Sequence, residues 1–217
     1  MARRTPRLAW LVCALLVAAI WARPVLAHPH VWIGVEARVV YANGSFTGIA
    51  QTWTFDEFSS AYAIQGLDTN GDGAYDDNEL AELTRRYRDA TNSDGYFTIA
   101  ELPGEMIRLG RPTDFRLDVK DGILSQTFTL LFGSPIPPGP RELRFAVFDP
   151  SYFIAFELGR VDFQATGGSV PSTCRIRMMM DADAGAATAS PQQSLPVDFS
   201  PDLMEPFGTV SVACAAP

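Results

Sequence analysis

The chain is 217 residues long, and 25 acidic against 17 basic side chains give it a formal net charge of −8 at neutral pH. That balance argues against nucleic acid or an anionic membrane surface as partner and is compatible with a protein that handles cations. The length suits one domain or two small ones, with an ample core.

Residues 1–27 read as a secretory signal. Arg3, Arg4 and Arg7 open it, and an apolar run from Leu8 to Ala22 follows. The run is shorter than the roughly 20 residues that a bilayer span requires. Val25-Leu26-Ala27 offers small residues where a signal peptidase reads, so the mature chain is expected to begin at His28. Cys13 follows Val12 without the small residue of a lipoprotein site, and Arg3-Arg4 lacks the rest of a twin-arginine pattern. Sec export to the periplasm is the expectation. The signal takes with it four arginines and no acid, leaving 13 basic against 25 acidic residues, a net −12.

The chain's two histidines, His28 and His30, then fall in the first three residues of the expected mature protein. A free α-amine and the imidazole of the same N-terminal histidine can chelate Zn2+, Ni2+, Co2+ or Cu2+, and a second imidazole two residues on can complete the site. Pro29 excludes the square-planar mode that uses a deprotonated amide at residue 2, because proline has no N–H. The alternative reading is an exposed terminus that happens to carry two histidines.

Val31 to Tyr41 and Phe46 to Phe55 flank Asn43-Gly44, a strong hairpin signal. Asp56 can then cap a short helix carrying Phe58 and Tyr62. After it, Asp68-Thr-Asn-Gly-Asp-Gly-Ala-Tyr-Asp-Asp-Asn-Glu79 matches the twelve-position calcium loop of an EF-hand. Calcium is a hard cation that takes oxygen ligands, and the loop offers them from Asp68, Asn70, Asp72, the carbonyl of Ala74, Asp76 and Glu79, with Gly73 at the sharp turn. Leu80, Leu83 and Tyr87 form an apolar stripe at helical spacing beyond it. Gly66 weakens the entering helix, and Tyr75 stands where an aliphatic residue normally bridges to a partner loop, which predicts a lone, unpaired hand. An acidic surface turn that binds nothing is the alternative. A second hand over Ala90 to Glu101 fails, because its first position is alanine and Tyr96-Phe97-Thr98-Ile99 has strand composition. Arg85, Arg86 and Arg88 read as a solvated helix face with cations near its C-terminus.

Further hairpins are expected for Tyr96–Leu102 with Glu105–Leu109 across Pro103-Gly104, and for Phe115–Val119 with Ile123–Phe132 across Asp121-Gly122. Gly133 to Pro140 breaks regular structure as a linker. Leu143–Phe148 and Tyr152–Leu158 form a strand pair across Asp149-Pro150, and two strand-like runs carrying Cys174 and Cys214 follow. An exported chain meets an oxidising compartment, so these cysteines are expected to form a disulfide. Asp181 to Gln193 reads as a loop. The fold class is mainly β within α+β, with antiparallel hairpins forming a sandwich-like body and one inserted helix–loop–helix at 56–90. The organisation is a signal over 1–27, a β region over 28–135 carrying the insertion, and a C-terminal β region over 136–217.

His28-Pro-His-Val-Trp-Ile33, Trp53-Thr-Phe-Asp-Glu-Phe58, the Asp/Asn/Gly-rich loop, Tyr96-Phe97-Thr98, Pro112-Thr-Asp-Phe115, Asp121-Gly122, Phe148-Asp-Pro150 and the late cysteines together resemble the DUF1007 family. Its members are described as periplasmic components of an uncharacterised ABC-type transport system. The resemblance implies export and an association with transition-metal transport, and supplies no catalytic residues.

Two functions from different classes stand at this point. One is a non-enzymatic periplasmic accessory of metal transport, with calcium at Asp68 to Glu79 and a transition metal at His28 and His30, partnered by metal ions and an inner-membrane transporter. The other is a calcium-stabilised interaction module that docks a membrane transporter without any transition-metal role. An enzyme is not expected. A copper-oxidase histidine brace needs a further histidine beyond His30, and Gly-x-Ser-x-Gly and Gly-Lys-Ser/Thr motifs are absent.

Overall fold

The computed structural model describes residues 29–93, 95–179 and 208–215. Strand β1 (Val31–Ala42) has the two-residue period of a half-buried strand, with Ile33, Val35, Ala37, Val39 and Tyr41 turned inward and Trp32, Gly34, Glu36 and Arg38 outward. Asn43 (φ 51°) and Gly44 (φ 82°) supply the two left-handed residues of a tight hairpin turn. They lead into β2 (Ser45–Phe55), paired antiparallel with β1 from Ile33↔Phe55 to Ala42↔Ser45.

Two helices, α1 (Glu57–Ile64) and α2 (Asp77–Ser93), follow. Next come a 3-10 turn at Gly95–Phe97, then β3 (Thr98–Leu102) and the short β4 (Glu105–Met106). A longer hairpin is built from β5 (Leu109–Lys120) and β6 (Ile123–Ile136), its turn formed by Asp121 (φ 53°) and Gly122 (φ 78°). The chain closes with β7 (Leu143–Val147), β8 (Ile154–Thr166), β9 (Cys174–Met179) and β10 (Thr209–Cys214).

The strands form two five-stranded sheets, β5-β6-β2-β1-β8 and β4-β3-β7-β10-β9. The body is mainly β and sandwich-like with one helix–loop–helix insertion, as the sequence predicts. One buried cluster joins Val39, Ile49 and Phe132 of the first sheet to Phe145, Val210 and Val212 of the second. The other centres on Trp53, whose ring meets Phe128 and Phe156 at 5.0 and 4.9 Å and which also packs Leu80 and Leu83 of α2. Full burial of each such side chain is worth about 1.5–3 kcal/mol. A polar chain crosses between the sheets: Trp53 Nε1 donates to Gln51 Oε1 (2.8 Å), Gln51 Nε2 to Thr98 Oγ1 (3.0 Å), and Thr98 Oγ1 to the Tyr96 carbonyl (2.7 Å). Cys174 and Cys214 are bonded and directly opposite in the β9–β10 register, so the expected disulfide is present.

Three local expectations are corrected. Leu143–Phe148 and Tyr152–Leu158 are not a strand pair, because β7 and β8 lie in different sheets. Between them Asp149 holds a crossover, accepting from Ser151 N and Oγ and from Ile154 N at 2.7–2.9 Å. The pairing is mostly antiparallel as expected, with β8 running parallel to β1 from Val31↔Ile154 to Ala42↔Thr166. Gly133 to Pro140 does not break at its start, as β6 continues to Ile136, which pairs with Phe46 beyond a register shift. Tyr96 and Phe97 belong to the 3-10 turn and not to a strand, and the run Glu105–Leu109 is divided between β4 and β5. Both sheets draw strands from either side of position 136. The signal at 1–27, His28 and the loop Asp181–Gln193 lie outside the described residues.

Candidate metal centre

The insertion is fastened at both ends before its loop begins. Asp56 caps α1: one carboxylate oxygen accepts from Ser59 N (2.8 Å), and the other from Ser59 Oγ (2.7 Å) and, across the sheet end, from Trp32 N (2.9 Å). Burial pushes this carboxyl up, but the N–H groups of Ser59 and Trp32 outweigh it and hold Asp56 below its ordinary value. Ser60, fully buried, accepts from Leu124 N at 3.0 Å. β2 leaves the sheet at Phe55, so this hydroxyl takes the place of a strand carbonyl and ties α1 to β6. The helix stops at Ile64, with Gly66 (φ 77°) turning the chain into the loop.

On the far side Asp76 begins α2, its Oδ1 accepting from Asn78 N (2.8 Å) and Glu79 N (3.0 Å). Leu80 and Leu83 are buried against the body, and Tyr87 meets Phe55 at 5.6 Å. Arg85 pairs with Glu82 (2.7 Å) and Asp89 (3.5 Å), and Arg86 with Glu82 (3.8 Å), on an exposed face. Arg88 instead lies over the Phe115 ring at 5.3 Å.

Between these anchors the loop is held by its own side chains. Asp68 accepts from Gly71 N (2.8 Å) and Gly73 N (3.1 Å), Asn70 from Asp72 N (2.8 Å), and Asp72 from Ala74 N (2.8 Å) and Asn70 Nδ2 (3.0 Å). Glu79 reaches back from the first turn of α2, taking Thr69 N (2.8 Å) and Thr69 Oγ1 (3.0 Å) on one oxygen and Asp76 N (3.1 Å) on the other. The N–H groups of Thr69 and Asp76 hold its carboxyl below the ordinary value. Gly73 adopts φ 78° with nothing within 4 Å of where a Cβ would sit, so backbone conformation alone asks for glycine there. Tyr75 and Leu67 pack against the core cluster. The tyrosine at position 8 is therefore turned toward this protein's own body.

The six expected calcium positions, Asp68, Asn70, Asp72, Ala74, Asp76 and Glu79, thus share one surface turn whose donors are all hard oxygens. That set fits a calcium ion. Among the described residues, no three His, Cys, Asp or Glu side chains are gathered into a metal-holding group; the carboxylates face loop amides instead. Of the two histidines, His28 lies outside the described residues. His30 is exposed, its N–H donates to the Phe153 carbonyl (2.9 Å), and its ring lies 5.0 Å from that of Phe153. The rejected second loop is not one: Ala90 to Ser93 end α2, and Glu101 is buried in β3 with Arg144 at 3.3 Å.

Sequence reasoning missed Thr69, which holds Glu79, and Ser60, which anchors α1. A threonine at a loop's second position and a serine inside a helix carry no spacing signal of their own.

The sequence model of the family described as "Protein of unknown function (DUF1007)" matches residues 13–210. An uncharacterised protein of Haemophilus influenzae is 26% identical over 146 residues, covering 65% of this chain and 69% of that protein. An uncharacterised 15.5 kDa protein in the trpE 3′ region of Spirochaeta aurantia is 31% identical over 90 residues, covering 42% of this chain and 64% of that protein.

Proposed function

The chain belongs to the DUF1007 family, and from that premise we propose that it is an exported, non-enzymatic periplasmic protein that binds calcium at Asp68 to Glu79 and handles a transition metal at His28 and His30 as a transport accessory. The observation that carries the calcium half is the loop itself: a complete oxygen set, a left-handed Gly73, and Glu79 already folded back across the turn. The calcium would sit among oxygens of these six residues and neutralise a concentration of carboxylate charge. For the transition metal, support comes from the start of β1. His30 N is held by Phe153 and Trp32 N by Asp56, so the chain leaving toward His28 departs from a fixed point.

A second reading is favoured by a specific observation. Trp32, Phe58, Tyr152 and Phe153 are 46–80% exposed, and they cluster where β1 and β8 begin and α1 is capped. Exposed aromatics of this kind are what protein interfaces enrich, which supports the interaction module that docks a transporter.

Metal analysis of protein purified from the periplasm with its authentic N-terminus separates the two. Stoichiometric zinc, nickel, cobalt or copper beside calcium is the expected result, and it should be lost when one residue is added ahead of His28, which moves the α-amine away. Calcium alone, unchanged by that extension, would overturn the transition-metal role and leave the docking module.

A further inference from the structure

A second region stands apart from the loop and from the histidines. An open-mouthed cavity of about 320 Å³ lies where the end of α2, the Gly95–Phe97 turn, the β3–β4 hairpin and the start of β5 meet. Its size is at the lower end of small-molecule sites, which begin around 300 Å³. The lining is apolar at Ile107 and Leu109 and polar at Asn92, Thr98 and Arg111.

Charge makes this place unusual in an acidic chain. Arg111 is exposed, and no carboxylate is ion-paired with it among the described residues. Arg88 lies over Phe115, four residues further along β5. Both guanidiniums reach the Tyr96 phenol electrostatically. Burial raises that hydroxyl's pKa, Arg88 and Arg111 pull it back, and Asp89 acts weakly the other way. An arginine with no ion-paired carboxylate among the described residues, set beside an apolar recess, is the arrangement that takes a planar oxyanion in a forked pair of hydrogen bonds.

The backbone here is also held in a costly state. Gly95 (φ 60°), Tyr96 (φ 56°, ψ 30°) and Phe97 (φ 48°) are three successive left-handed residues, and two of them are aromatic. A bulky residue adopts that region only when its surroundings impose it, and such positions concentrate at binding and catalytic sites. Tyr96 is 4% exposed, packs on Phe128 at 5.6 Å, and has its carbonyl held by Thr98 Oγ1. The turn therefore forms a rigid wall of the cavity.

We propose that this cavity binds a small organic anion, an oxyanion head of carboxylate or phosphate type on a short apolar body. The head pairs with Arg111 under the field of Arg88, and the body lies along Ile107 and Leu109. Calorimetric titration of the full exported chain with hexanoate, hexyl phosphate and hexylammonium tests it at constant chain length. The anions are expected to bind at least about tenfold more tightly than the cation, given the strength of charge-assisted hydrogen bonds. The tighter anion identifies the head. Arg111→Gln, an exposed substitution expected to leave the melting temperature unchanged, should remove most of that preference, and Arg88→Gln should reduce it. Equal binding of anion and cation, an anion affinity unmoved in Arg111→Gln, or no saturable binding of any probe would overturn the proposal.

Discussion

Replacing Ser60 by alanine cuts the tie between the insertion and the sandwich. The Ser60 hydroxyl is fully buried, accepts from Leu124 N at 3.0 Å, and approaches the Phe55 carbonyl at a long 3.4 Å. Leu124 is itself completely buried, so its orphaned N–H finds no water. Leaving such a donor unpaired costs about 1–3 kcal/mol, and the long second contact adds little. For a domain of this size each kcal/mol moves the melting temperature by roughly 2–4 °C, so a fall of about 4–8 °C is expected for a mid-range loss. Urea unfolding should show a lower midpoint with an unchanged slope, because the surface exposed on unfolding is the same. Since α1 leads through Ile64 and Leu67 into Asp68, calcium affinity should weaken as well. A melting temperature within about 1 °C of the parent would refute the reasoning, because Leu124 N–H would then have another partner.

Gly73→Ala meets no steric obstacle but must adopt φ 78°, so it should cost about 1 kcal/mol in thermal unfolding and weaken calcium binding. Reducing the Cys174–Cys214 bond, or replacing both cysteines by serine, releases a 40-residue loop. By loop-closure entropy this should cost up to about 4 kcal/mol, read as a lower denaturation midpoint, while thiol counting on the unreduced, denatured chain should find neither cysteine free. Asp56 and Glu79 both have folded pKa values below their ordinary 3.8 and 4.5, so the unfolded chain binds more protons in acid. Their contribution is complete above those ordinary values and is lost as pH falls through the lower folded ones. Melting curves should therefore be insensitive to these groups from neutral pH to about 5 and fall below that, with a shallower fall in Asp56→Asn.

The parts of this fold that announce themselves in sequence are those whose causes are local. Asn43-Gly44 and Asp121-Gly122 need positive φ at both positions, few dipeptides supply it, and both hairpins lie where they point. The acidic loop from Asp68 to Glu79 and the helix cap at Asp56 are local in the same sense. What escapes is non-local: β1 and β8 are parallel partners more than a hundred residues apart, and no short pattern encodes that pairing. Asp149-Pro150 misleads because an aspartate before proline suits a hairpin turn as well as a crossover between sheets. The cavity at Arg111 was illegible for a related reason, as Tyr96 is left-handed only because tertiary packing holds it there.

Titration calorimetry of calcium into the full chain, run in parallel on Glu79→Ala, tests the calcium site proposed at Asp68 to Glu79 most directly. The wild type is expected to take up one ion per chain with a Kd on the order of 10⁻⁴ to 10⁻³ M, and the variant to lose most of that affinity, because position 12 normally gives calcium two oxygens. Equal calcium uptake by the two proteins, or none by the wild type, would contradict the account.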